Sequence, residues 1–70
     1  MNRESTIKMC RVKGVDSYDK VFYWSATGYW VAESNAGWFT RYKAEQIVRE
    51  CNIRNRYLDS NDRVEASIEE

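Results

Sequence analysis

Seventy residues with no net charge, eleven Lys/Arg against eleven Asp/Glu, make one domain at most, and a chain this short buries only about 60% of the surface its unfolded form exposes. The absence of histidine excludes Ser-His and Cys-His dyads, and Cys10 and Cys51, far apart and without CxxC spacing, argue against a structural zinc. No apolar stretch approaches the roughly 18 residues that a membrane span needs.

In chain order, residues 6–13 alternate as a first strand, with Ile7 and Met9 on one face and Cys10 and Val12 on the other. Gly14 is expected to end it. The polar run Val15 to Lys20 then forms a loop in which Asp16, Ser17 and Asp19 are available for side-chain turns.

Residues 20–34 read as a β-hairpin of strands near 20–26 and 29–34, because β-branched and aromatic residues flank Thr27-Gly28. Thr27 resists the positive φ of a two-residue type I′ turn, so a three-residue Ala26-Thr27-Gly28 loop with Gly28 left-handed fits better. That register pairs Trp24 with Trp30 and Phe22 with Ala32 on a core face. It sets Val21, Tyr23, Tyr29, Val31 and Glu33 on the other.

Thr40 is the expected N-cap of a helix over about 41–51, with Phe39 placed to staple onto Ala44. Ala44, Ile47, Val48 and Cys51 recur at core-facing helical spacing, and Asn52 is a reasonable left-handed stop. Beyond it, Ile53 to Leu58 reads as a basic connector and Asp59-Ser60-Asn61-Asp62 as a turn. Val64, Ala66 and Ile68 alternate with Glu65, Ser67 and Glu69, which suggests an acidic edge strand over 63–68; a disordered or helical tail is the competing reading. The expected fold is therefore α+β, an antiparallel β-meander packed on one amphipathic helix in a single domain over 1–70.

Charge is uneven along this plan. Residues 1–58 carry ten Lys/Arg against six Asp/Glu, and 59–70 carry five acids with Arg63 alone opposing them. Such a mildly basic body with an acidic tail is weak evidence for nucleic acid. Asp16, Asp19, Asp59 and Asp62 sit in turn-type sequence, and Gly14, Gly28 and Gly37 read as terminators or turns, not a phosphate loop. No catalytic, cofactor or metal residues are assigned, and the chain is expected not to be an enzyme.

Three Trp, five Tyr and two Phe exceed what so small a core can hide, and exposed Tyr and Trp are favoured in interfaces. The candidate partner-binding residues are Tyr23, Tyr29, Arg41, Tyr42, Lys43, Arg49 and Tyr57. Self-association as a homodimer is the expected extra source of stability. The N-terminus leads into no apolar signal region, so a reducing cytoplasm with two buried free thiols is expected.

The aromatic hairpin followed by Gly37-Trp38-Phe39-Thr40-Arg41-Tyr42-Lys43-Ala44-Glu45-Gln46-Ile47 resembles a layout found among very small bacteriophage and prophage-encoded proteins. The likeness covers roughly residues 20–52 and consists mostly of a capped helix start. It implies stoichiometric binding to a host protein, with inhibition as one outcome, and carries no functional residue over. Two alternatives remain open: a single-stranded nucleic-acid module stacking bases on Tyr23 and Tyr29, and a nucleotide or small-molecule binder at a dimer interface.

Overall fold

A computed structural model describes residues 8–70. Thr6 and Ile7, where the first strand was expected to begin, lie outside the described residues. The strands are β1 (Arg11–Asp16), β2 (Val21–Trp24), β3 (Trp30–Val31) and β4 (Val64–Glu69), with one helix, α1 (Arg41–Asn55). All neighbours are antiparallel and the order is β3-β2-β1-β4, so β1 to β3 form a meander and β4 returns beside β1 after the helix. The α+β architecture is the one the patterning implies.

Two hairpins share one turn design. In the loop after β1, Asp19 N–H donates to Asp16 O at 3.0 Å and Asp16 N–H to Lys20 O at 3.0 Å, with Asp19 at φ 66°. In the loop after β2, Gly28 N–H donates to Ser25 O at 3.1 Å and Ser25 N–H to Tyr29 O at 2.8 Å, with Gly28 at φ 95°. In each, the side-chain oxygen of the first residue takes a further backbone donor: Asp16 Oδ1 from Lys20 N–H at 2.8 Å, Ser25 Oγ from Tyr29 N–H at 3.0 Å. This is the three-residue loop expected at Ala26-Thr27-Gly28, and it pairs Trp24 with Trp30 as expected. Their rings meet edge to face at 4.9 Å.

Several boundaries differ from expectation for local reasons. Gly14 does not end β1; it sits mid-strand, where an added Cβ would lie 2.6 Å from the Trp30 ring and from Val64 Cγ1. The glycine marks a close approach, so the strand continues to Asp16. β3 stops at Val31 because Ala32 leads into a 3-10 turn over Glu33–Asn35, which leaves Phe22 without its expected partner Ala32. Phe39 then bonds Cys10 in both directions, at 2.7 and 2.8 Å, beyond the start of β1.

Thr40 caps α1 by accepting from Lys43 N–H at 3.2 Å. Asn52 is not its stop. The helix continues one turn to Asn55, whose side-chain amide is bonded to both backbone groups of Val64. Ala44, Ile47 and Cys51 are buried against the sheet, and Cys10, Val12, Ala44 and Ile47 form the core, with Trp24, Trp30, Phe39 and Val48 packed around it. Both cysteines are free and buried. Residues 64–69 form an edge strand, which decides between strand and tail.

Candidate functional site

The longer helix rearranges the sequence-based candidates. At 100° per residue, Ala44, Ile47 and Cys51 point into the sheet, and Tyr42, Gln46, Arg49 and Ile53 follow one another along the opposite crest. Tyr42 is 72% and Ile53 45% exposed, and Tyr57, just past the helix end, is 83% exposed. The Gln46 amide donates to Tyr42 Oη at 3.3 Å, which steadies the first ring of this row. Ile53 and Gln46 were not singled out from the sequence, because a helix ending at Cys51 leaves Ile53 in a connector. Extending the same period by four residues would have found it.

Arg41 lies to one side of the crest, with ion pairs to Glu45 at 3.5 Å and to Glu70. Lys43 lies to the other side, and Arg49 stands exposed between the crest and a groove beside β4. Neither Lys43 nor Arg49 has a salt-bridge partner among the described residues.

Tyr23 is placed differently from expectation. It is 6% exposed on the outer sheet face, with the Arg11 guanidinium 4.6 Å over its ring and also 5.2 Å over the Trp38 ring. Arg11 is held there by Glu69 at 2.6 Å and Glu33 at 3.2 Å. The Tyr23 hydroxyl donates to Glu69 Oε2 at 3.4 Å. Burial, reinforced by Glu69 and Glu33, holds the Tyr23 phenol above its ordinary pKa. Tyr29 is 68% exposed in the loop between β2 and β3, whereas the Tyr23 ring lies under the Arg11 guanidinium. Trp38, 56% exposed beside Arg11, is the aromatic the outer face does present.

Three of the grooves formed by the described residues lie beside α1. A polar one of about 530 Å³ lies between the first hairpin turn and the helix end, with Asp16, Ser17, Asn55 and Arg63 on its walls. A second, about 390 Å³, separates α1 from the β4 edge and is lined by Glu45, Val48, Arg49, Ile53, Arg56 and Ile68, among others. The third, about 340 Å³, is walled by Trp24, Tyr29, Trp30, Cys51, Arg54 and Leu58. Cys51 Sγ donates to Val64 O at 3.5 Å, and burial pushes its thiol pKa up, away from nucleophilic reactivity.

No group of three or more acidic or thiol side chains is placed to hold a metal ion among the described residues. None of their helices is long and apolar enough to cross a membrane. No family model, curated protein or solved structure matches the chain.

Proposed function

We propose that this chain is a non-catalytic interaction protein that binds a protein partner stoichiometrically through the crest of α1. The observation that supports this reading is the exposure of Tyr42 and Ile53 on the solvent side of a helix whose other side already fills the core, with Tyr57 exposed just past its end. A surface helix ordinarily keeps that side polar. Tyr beside Arg is the composition that interface centres favour, and helix crests docking into partner grooves are read at this spacing.

The test is photo-crosslinking from positions 42 and 57, followed by titration of the captured protein in purified form. Both positions should yield the same partner, and the pair Tyr42→Ala with Tyr57→Ala should weaken its binding at least about tenfold without changing the unfolding midpoint. Different captures from the two positions, or affinity untouched by the double variant, would refute the crest as the binding surface.

A second reading has its own support. The groove walled by Trp24, Tyr29, Trp30 and Arg54 offers aromatic faces beside a cation, the chemistry that takes a nucleotide or another planar anion. Adenosine monophosphate would then quench tryptophan fluorescence saturably, and Arg54→Ala would abolish the change. Absence of a saturable signal dismisses it.

A further inference from the structure

One of the two edges of the sheet, β4, is only partly closed. Because Asp16 bonds Lys20 across the β1–β2 hairpin, the even-numbered residues of β1 face β2 and Arg11, Lys13 and Val15 face β4. Their partners Glu69, Ser67 and Glu65 are thereby used, and the N–H and C=O groups of Val64, Ala66 and Ile68 point outward. The Asn55 side chain occupies both groups of Val64, at 3.3 and 2.9 Å. Ala66 and Ile68 are left as an open edge.

Beside this edge runs the groove lined by Val48, Ile53 and Ile68, with Glu45, Arg49 and Arg56 on its rim. Val48 and Ile68 are half-buried and Ile53 is exposed, which leaves part of their surface uncovered. We propose that a second copy of this chain occupies it, pairing β4 antiparallel with its own β4 about a two-fold axis at Ile68. The two sheets become one of eight strands, with both helices on the same side.

The register follows from elimination. An axis at Ala66 would set Val64 opposite Ile68 of the second copy, where Asn55 already stands. An axis at Ser67 would set Glu65 opposite Glu69 of the second copy, and like charges directly opposite are destabilising. An axis at Ile68 sets Ile68 against itself, Ala66 against Glu70 and Ser67 against Glu69, which leaves Asn55 in place and no acid facing an acid.

The helix flank agrees with this axis. Val48 shares its groove with Ile68, so each Val48 comes beside the axis and completes an apolar centre. Glu45 and Arg49 lie on either side of Val48 along α1, so antiparallel helices bring Glu45 of one copy within reach of Arg49 of the other, twice. A surface that matches itself in both apolarity and charge is what an isologous dimer requires. Of the crest, Arg49 and Ile53 line this groove and are drawn into the seam. Tyr42 and Tyr57 do not line it, so the dimer leaves those two tyrosines free and displays two copies of them.

Sedimentation of the full chain over a dilution series, in reducing buffer, tests the seam. The expected result is a reversible dimer whose dissociation constant rises about tenfold in Glu45→Arg or Arg49→Glu, and returns to within about threefold of wild type in the double charge swap. Ala66→Pro, which removes an outward donor that β1 does not use, should dissociate the dimer while the monomer keeps its circular dichroism. A monomer at every concentration, a dimer indifferent to the single swaps, or no recovery in the double swap overturns the proposal. A dimer that survives Ala66→Pro places self-association elsewhere and overturns it too.

Discussion

The side-chain amide of Asn55 treats Val64 as a neighbouring strand would, accepting from its N–H at 3.3 Å and donating to its C=O at 2.9 Å. One residue thereby fastens the last turn of α1 to the first residue of β4 and closes a third of the outward groups on that strand. Asn55→Ala removes both bonds and leaves the half-buried Val64 N–H unpaired, the Val64 carbonyl keeping the Cys51 thiol at 3.5 Å, at a cost of about 1–3 kcal/mol. A urea titration measures this, and exchange of the Val64 amide proton should accelerate in parallel. An unchanged midpoint would mean that water replaces the amide without loss.

Gly14→Ala tests the close approach in β1. In an ordinary strand this change is favourable, because glycine forfeits entropy on folding. Here the added methyl would stand 2.6 Å from the Trp30 ring and from Val64 Cγ1, and overpacking of this kind costs about 1–3 kcal/mol. Trp30→Ala alone should cost on the order of 3 kcal/mol, and in the Trp30→Ala background Gly14→Ala should cost less, the remaining cost being its clash with Val64 Cγ1. Additive costs in the double variant would contradict the proposed contact.

The positions of Gly14, Asn52 and Tyr23 show where sequence patterning stops being informative. The second hairpin is legible because Thr27 and Gly28 have steric requirements that select one loop, and the start of α1 because a threonine cap and helical spacing agree. Each signal is local. Gly14 is indistinguishable from a terminator until Trp30, distant in sequence, is known to cover it. The end of α1 depends on Asn55 finding Val64, and Tyr23 is covered by Arg11 and bonded to Glu69, which only the folded sheet assembles. The crest was half legible: Tyr42, Arg49 and Tyr57 are named from composition, but Ile53 joins them only once the helix reaches Asn55.

Tyr23 gives a pH dependence with a definite sign. Its phenol is held above the ordinary value by burial first, then by Glu69 and Glu33. A group whose folded pKa exceeds its unfolded one holds its proton more tightly in the native state. Its contribution is therefore full below about pH 10 and lost as pH rises through the folded value. Urea midpoints measured from neutral pH upward should fall more steeply above about pH 10 in the wild type than in Tyr23→Phe. Parallel profiles would show that Tyr23 ionises without hindrance in the folded protein.

The two hairpin turns allow one further prediction with opposite signs. Both place their third loop residue at positive φ, 66° at Asp19 and 95° at Gly28, with the same backbone bonds around it. A side chain in that region costs roughly 1–2 kcal/mol. The nearest atom to a Cβ at Gly28 is Trp24 Cζ2 at 4.0 Å, so Gly28→Ala meets no clash and should lose about that backbone cost alone. Asp19→Gly relieves the same strain at an exposed site. The greater freedom of glycine in the unfolded chain offsets part of the gain, so a net stabilisation of about 0.5 kcal/mol is expected. The Asp16 carboxylate holds the first turn through the N–H groups of Tyr18 and Lys20, at 2.9 and 2.8 Å, whichever residue follows at position 19. Midpoints that move down for Gly28→Ala and up for Asp19→Gly support a common turn energetics. A loss at Asp19→Gly would show instead that the Asp19 side chain stabilises its turn by more than its left-handed backbone costs.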